Sequence, residues 1–457
     1  MDAIPLSKIA AWADGRLSGG DPARTITNVC TDSRALKSGD LFIAIRGEKF
    51  DAHDFLRDAA RLGAAGAIVS RAMPALPAGF AVIVVDDTIR ALQAVARAYR
   101  ASLPLTAICI TGSNGKTSTK DLTAAVLAQK FSVTRTEGNL NNHIGLPLTI
   151  LRADSTHQAG IFEVGMNHPG EIAPLAAIAK PDIAIITNIG VAHIEFMGSR
   201  EAIALEKGML AEAVGERGTV ILNADDEFTP SIAQRTRARV MTAGLRGGDV
   251  RATDLDFHSL GTRFRLHATG QSVEAELPVP GEHMVRNALL ACAAGLVLDL
   301  SLDDCARGLR QLRLTAGRLS QKTVGGIRII DDTYNANPDS MVAALATLAR
   351  VPVDGRRIAV LGRMGELGIE SERGHRQVGE AAGREQISCV ITVGDEADWI
   401  AEGAEAGGVH TVIRTTDIDD ATRALRGIAQ PGDTVLIKAS RSARLERIVQ
   451  AMEGGER

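Results

Sequence analysis

Leu105-Thr-Ala-Ile-Cys-Ile-Thr-Gly112-Ser113-Asn114-Gly115-Lys116-Thr117-Ser118-Thr-Lys-Asp121 is the most informative run in this chain. Leu105 to Ile110 is a short apolar stretch of the kind that suits a buried parallel strand. From Thr117 onward Leu122, Ala125, Val126 and Ala128 recur at helical spacing. The segment therefore reads strand, glycine loop, helix. Such a loop turns backbone N–H groups towards a phosphate, with the positive end of the helix dipole behind them. Lys116 is placed to reach phosphate oxygens and Thr117 to offer its hydroxyl to Mg²⁺. The common phosphate loop is G-x-x-x-x-G-K-[ST]; here Gly112 to Thr117 form a shorter G-x-x-G-K-T. A bare G-x-x-G would be an ordinary tight turn, but the attached Lys-Thr and the preceding strand predict nucleotide binding.

A length of 457 residues predicts about three domains at ~150 residues each. Strands alternating with helices predict an α/β protein whose central sheet is mostly parallel and doubly wound. The expected divisions are a small α/β unit over 1–85, a central ATP-binding domain over 86–315 and a C-terminal Rossmann-like domain over 316–457. Residues 86–103 are expected to form a linking helix. The expected strands of the first unit are Ile26–Cys30, Leu41–Ile45, Ala67–Ser70 and Ala81–Val85. Those of the central domain include Ile161–Val164, Ile183–Thr187 and Thr219–Leu222, with a hairpin of Thr262–Ala268 and Ser272–Leu277. Gly326–Ile330, Arg357–Leu361, Ser388–Val393, His410–Ile413 and Asp433–Ile437 are expected in the last domain, which lacks a G-x-G-x-x-G dinucleotide fingerprint.

The net charge is −4, with 45% apolar and 23% charged residues and two each of Tyr and Trp. That balance gives no electrostatic or stacking reason to expect a nucleic acid partner. Five scattered cysteines without a C-x-x-C pair predict reduced thiols and a cytoplasmic setting. Asp2 and Asp14, with no basic start before an apolar core, predict no signal peptide. No apolar run approaches ~18 residues, so no membrane span is expected.

Ligands of open α/β sheets bind at the carboxyl ends of strands. Glu163 ends one expected strand; an acid inside an apolar strand needs a partner, which favours a metal role. His193 follows another, where it reads equally as a ligand or a satisfied core histidine. Lys207, taken alone, reads as a helix-surface lysine.

Thr111-Gly-Ser-Asn-Gly-Lys-Thr-Ser118 resembles the ATP loop of the Mur ligases and folylpolyglutamate synthases, enzymes that couple ATP cleavage to amide-bond formation. Glu163-Val-Gly, Asn188 followed by Ala-His193, and the run from Gly198 to Lys207 match the Mur family's magnesium glutamate, histidine and carbamylated lysine in order and spacing. Glu137-Gly-Asn139-Leu-Asn-Asn142 matches the substrate loop, with Asn139 and Asn142 as contacts. Asn287, in Pro280-Gly-Glu-His-Met-Val-Arg-Asn287, is similar to the family's adenine-facing asparagine. Asp32-Ser33-Arg34, then Gly39-Asp-Leu-Phe-Ile-Ala44, Gly47 and Asp51-Ala-His53 resemble its UDP-binding domain. On residues alone these are polar loops with a salt bridge; the resemblance implies that Ser33, Arg34, Ala44 and Gly47 hold uridine diphosphate. Asp332-Thr-Tyr-Asn-Ala-Asn337-Pro and Leu361-Gly-Arg363-Met-Gly-Glu-Leu-Gly resemble the branch that adds D-alanyl-D-alanine to UDP-N-acetylmuramoyl-tripeptide, and Lys438-Ala-Ser-Arg441 resembles the family's late Lys-Gly/Ala-Ser-Arg. Arg363 stands where that branch usually has aspartate.

The resemblance implies a monomeric cytoplasmic ligase using ATP and two Mg²⁺. Gly112, Ser113, Asn114, Gly115, Lys116, Thr117, Ser118, Asn287, Arg318, Asp332 and Asn337 would bind ATP. Lys116, Glu163, His193 and Lys207 would be catalytic, and Thr117, Glu163, His193 and carbamylated Lys207 would hold metal. The rival readings are a related ligase adding diaminopimelate or another amino acid, a motor or transporter ATPase, and a non-catalytic nucleotide binder. The Tyr-Asn-Ala-Asn stretch, the shortened loop, and intact Lys116, Glu163 and His193 argue against them in turn.

Overall fold

The computed structural model describes residues 1–71, 76–77, 79–258 and 261–454. The expected domain ranges also take in 72–75, 78, 259–260 and 455–457, which lie outside the described residues.

Around Thr106–Thr111, the strand before the glycine loop, a nine-stranded sheet is built. Its order is Gln271–Leu277, Gly261–Ala268, Val250–His258, Arg239–Gly244, Thr219–Asn223, Ile183–Ile186, Thr106–Thr111, Ala159–Glu163 and Val133–Arg135. Pairing is parallel from Val133–Arg135 as far as Val250–His258, and the last two strands add antiparallel. From Thr106–Thr111 the chain winds first to one side, through Val133–Arg135 and Ala159–Glu163, and then to the other. The order reverses beside the glycine loop, which is where such sheets open a crevice. Buried Leu122, Val126 and Leu289 cover one face, while Leu92, Val95, Leu175 and Ile203 cover the other.

A five-stranded sheet precedes it in the order Arg16–Ser18, Ala81–Val84, Gly66–Val69, Leu41–Ile43 and Val29–Cys30, antiparallel only at Arg16–Ser18. The single strand expected over 26–30 is instead two. Thr25–Ile26 pairs antiparallel with Ile4–Pro5, whereas Val29–Cys30 pairs parallel with Leu41–Ile43. Helix Thr88–Ser102 occupies the expected linking stretch, capped by Asp87, whose side chain accepts from Ile89 N at 2.8 Å. Its buried Tyr99 donates its hydroxyl to Ala153 O at 2.8 Å, fixing the helix to the central sheet.

The last sheet has six strands in the order Ser320–Val324, Ile327–Asp331, Thr434–Lys438, Arg357–Gly362, Cys389–Val393 and Thr411–Thr415. All pair parallel except Ser320–Val324 at the edge. That strand carries Ser320-Gln-Lys-Thr and so has no apolar run to announce it. One apolar core runs from the central sheet into Met341, Leu345 and Leu361 of this unit.

Candidate active site

The glycine loop has the backbone its residue types require. Gly112 has φ +149° and Gly115 φ +80°, both in the region that disfavours side chains. A Cβ on Gly112 would lie 1.9 Å from Thr187 Oγ1, and one on Gly115 would lie 2.6 Å from Asn287 Oδ1. The loop is therefore pressed between the next strand's end and helix Glu282–Val297, which carries the buried Asn287. Thr187 Oγ1 and Asn188 Nδ2 donate to Asn114 O, and Asn114 N donates to Asn188 Oδ1 at 3.0 Å. Helix Lys116–Leu127 then begins with first-turn amides that no helical carbonyl can satisfy. That leaves a rigid cradle of donors suited to phosphate.

Lys116 folds back over this cradle, donating from Nζ to Gly112 O at 2.6 Å. Burial pushes its pKa down, and the Glu163 carboxylate draws it back up. Thr117 Oγ1 donates to Glu163 Oε2 at 2.9 Å, and Arg318 Nη2 donates to Thr117 Oγ1 at 3.0 Å. Glu163 is the last residue of its strand and is 3% exposed. Its other oxygen accepts from Asn141 Nδ2 at 2.8 Å, and its backbone N donates to Thr136 Oγ1. Lys207 is 0% exposed on helix Arg200–Glu212, so the reading as a surface lysine is overturned. No side-chain hydrogen bond or ion pair holds it among the described residues. Burial, then the charge of nearby Lys116, pushes its amine well below an ordinary lysine.

His193 does not join Glu163. It sits at φ +63° before the short helix Ile194–Met197, and its Nδ1 lies 2.5 Å from Glu366 Oε2, on the far side of the cleft. That contact holds the Glu366 carboxyl below its usual range. Other bonds cross in the same direction. Asn337 Nδ2 donates to Asn114 Oδ1 at 2.8 Å, and Asp339 Oδ2 accepts from Val191 N at 3.1 Å. Asn337 caps helix Pro338–Arg350 in a reciprocal pair with Ser340. Asp332 takes a hydrogen bond from Lys438 Nζ at 2.6 Å, and Arg318 stacks over Tyr334 with its guanidinium 4.1 Å from the ring centre.

Between the central and C-terminal sheets lies a cleft of about 1220 Å³. Ser113–Ser118, His193, Asn287, Arg318, Asp332 and Asn337 all line it, whereas Glu163, bonded to Thr117, and Lys207 are buried outside the lining. Among the described residues no three His, Cys, Asp or Glu side chains gather at one point. Mg²⁺ typically takes one or two carboxylates and completes its shell with water and substrate phosphates. The hard oxygens of Thr117 and Glu163 beside the phosphate cradle fit that habit. The remaining candidates lie apart from the cleft wall. Arg34 is largely exposed and its guanidinium holds the Asp32 carboxyl down at about 2. Ser33 is half-buried, Ala44 is buried, and Gly47 N donates to Phe50 O at 2.9 Å. Asn139 is exposed, and Asn142 Oδ1 accepts from Gly145 N at 2.9 Å.

Residue types alone did not single out Asn141, Glu366 or Asp225. Asn141 sits between two asparagines that drew attention, and only the fold turns it to Glu163. Asp225 follows strand Thr219–Asn223 and accepts from Leu245 N, Arg246 N and Arg286 Nε. Its place just past a strand's carboxyl end was the available signal.

Known proteins match this chain along nearly all of its length. Family models described as Mur ligase family, catalytic domain; Mur ligase middle domain; and Mur ligase, glutamate ligase domain match residues 25–100, 110–295 and 317–441. A UDP-N-acetylmuramoyl-tripeptide–D-alanyl-D-alanine ligase of Escherichia coli (strain K12) is 39% identical over 460 residues, covering 99% of both chains. A crystal structure of MurF from Acinetobacter baumannii superposes with TM-score 0.92 at 32% identity, covering 99% of both chains. MurF ligase from Thermotoga maritima, in complex with ADP, superposes with TM-score 0.83 at 29% identity, covering 93% of this chain and 97% of that one. Matched from end to end in both sequence and fold, the chain belongs to the Mur ligase family.

Proposed function

We propose that this protein is an ATP-dependent ligase that joins D-alanyl-D-alanine to UDP-N-acetylmuramoyl-tripeptide, forming a peptide bond and releasing ADP and phosphate. The observation that carries this reading is the cleft itself. A phosphate cradle on the central sheet faces the Asp332–Asn337 turn of the C-terminal unit, and the two are joined through Asn114–Asn337 and Thr117–Arg318. Residues 1–85 would hold the UDP end through Ser33, Arg34, Ala44 and Gly47, with Asn139 and Asn142 along the muramoyl peptide. Residues 86–315 would hold ATP, and residues 316–457 the dipeptide.

An amide does not form from a carboxylate and an amine in water at a useful rate without an activated leaving group. ATP would phosphorylate the tripeptide's terminal carboxylate, and the dipeptide amine would attack the acyl phosphate and expel phosphate. The loop amides and Lys116 would bind the triphosphate, and Lys116 would counter charge on the transferring phosphoryl group. Arg318 and Asn337 would fix the C-terminal unit over the nucleotide, excluding water from the acyl phosphate. Asn287, whose amide packs against Gly115, would meet the adenine. Thr117, Glu163, His193 and a carbamylated Lys207 would hold two Mg²⁺, which when bound neutralise phosphate charge. Lys207 suits carbamylation because reaction with CO₂ needs a neutral amine, which its burial beside Lys116 favours.

All five cysteines are free and buried. Free thiols support a reducing compartment, so we assign the enzyme to the cytoplasm, acting as a monomer. No helix of the described residues is long and apolar enough to cross a membrane. The test is phosphate release from ATP with each substrate alone and with both. Release is expected only when UDP-N-acetylmuramoyl-tripeptide and D-alanyl-D-alanine are present together. Equal turnover with the dipeptide-bearing UDP precursor and free diaminopimelate would overturn the reading.

A further inference from the structure

Arg363 leads its loop into the cleft and makes a single ion-pair contact there, with Glu396. Strand Arg357–Gly362 runs parallel beside Thr434–Lys438, with Leu361 opposite Lys438. Arg363 and Ser440 therefore emerge together at the carboxyl ends of adjacent strands, where open sheets take their ligands. Ser440 N donates to Arg363 O at 3.0 Å, and Gly365 N donates to Ser440 Oγ at 2.8 Å, so the backbone under Arg363 is fixed. Its side chain is not. The guanidinium lines the cleft at 47% exposure, with Nη1 3.1 Å from Glu396 Oε1 as its one ion-pair contact. No side-chain hydrogen bond holds it among the described residues. Of the other cations of the wall, Lys438 is held by Asp332, Arg318 by Thr117, Arg286 by Asp225 and Arg441 by Glu446, while Arg246 follows strand Arg239–Gly244 on the central domain's side. Arg441, next after Ser440, also lines the cleft.

With Nη1 turned to Glu396, the Nε and Nη2 donors of the guanidinium are left for a ligand, and such an edge is matched to a carboxylate, which it binds through two parallel N–H···O bonds. Three residues further along the same loop, Glu366 reaches across to His193. The loop thus offers a cation at Arg363 and an anion at Glu366, the inner end touching the central domain. A zwitterionic dipeptide fits that pattern, carboxylate at Arg363 and amine pointing inward.

We propose that Arg363, flanked by Arg441, binds the terminal carboxylate of the incoming dipeptide and so sets which end of it faces the reaction. This rests on the function proposed above. The test compares D-alanyl-D-alanine with its C-terminal amide as substrates of the full-length enzyme. Arg363→Gln is expected to raise KM for the free dipeptide about 10- to 100-fold, the range of a hydrogen bond to a charged group. KM for ATP and for UDP-N-acetylmuramoyl-tripeptide should stay unchanged. The wild type should favour the free acid over the amide by a similar factor, Arg363→Gln should lose that preference, and Arg363→Lys should keep part of it. An unchanged dipeptide KM in Arg363→Gln would overturn the assignment. So would equal use of acid and amide by the wild type, or a loss of preference in Arg441→Gln alone. Failure of the functional reading looks different: the wild type would then show no dipeptide-dependent phosphate release at all.

Discussion

Lys207 is where residue type and position disagree most. A lysine on a helix is ordinarily solvated, yet this one shares a buried face with Ile203, Leu210 and Ala211. Helical spacing already put those positions together, since Lys207 lies four residues after Ile203. Burial without a partner is costly for an ammonium, and it favours the neutral amine over the charged one. A carbamate there would turn a cation that repels Mg²⁺ into an oxygen ligand. Lys207→Ala is accordingly expected to keep the fold by circular dichroism and to lose ~10²-fold or more of kcat. Acetate or formate in the assay should restore part of it by filling the vacated position. Full activity in the variant would return Lys207 to a packing role, and inactivity that no small carboxylate relieves would count against the carbamate.

Helix Lys116–Leu127 serves two sheets at once. Its first turn forms the phosphate cradle, and one turn later Asp121, 1% exposed, takes hold of the chain leading into the C-terminal unit. Asp121 Oδ2 accepts from Thr315 N at 2.8 Å and Thr315 Oγ1 at 2.9 Å, while Oδ1 faces Lys120 Nζ and Arg135 Nη1. Thr315 lies just before Gly317, at φ +72°, and Arg318. Thr117 and Asp121, spaced i and i+4, thus grip the connecting segment at two points on one helix face. Lys120 extends the frame by donating to Thr136 O, whose residue steadies Glu163. Removing the anion strands two cations, one of them buried. Asp121→Ala should lower stability by roughly 3 kcal/mol, the usual effect of breaking a buried pair. Asp121→Asn should lower it less, because the amide oxygen still accepts from Thr315. Urea unfolding midpoints measure both, and an Asp121→Ala midpoint equal to wild type would remove this tether from the framework.

The two larger units meet by close approach at Gly190. A Cβ there would stand 2.3 Å from Asp339 Oδ2, the same carboxylate that accepts from Val191 N. Gly190 needs space here, not an unusual backbone, as it has no positive φ. Gly190→Ala should therefore wedge the C-terminal unit away from the loop that carries His193 and loosen Asn337 from Asn114. The expected outcome is a kcat about 10-fold lower with nucleotide binding largely kept, since a small misplacement of reacting groups is enough for that. Asp339→Ala in the same chain should recover part of the loss by removing the obstructing carboxylate, so the two changes should not add. Additive losses in that cycle would mean that the carboxylate is not what Gly190 accommodates.

Local spacing alone determined the glycine loop between strand and helix, the α/β class, the linking helix and the strand-end position of Glu163. Each is set by neighbours within a few residues, through hydrophobic period and loop chemistry. Tertiary structure alone decided which polar groups meet. Asn141 reaches Glu163 because Val133–Arg135 pairs beside Ala159–Glu163, and His193 meets Glu366 because two sheets pack across a cleft. The edge strand Ser320–Val324 and the split at Ile26–Cys30 were hidden for the same reason. Strand pairing there is chosen by the partner's open hydrogen-bonding edge, which lies far off in the chain and leaves no periodic mark on the segment itself.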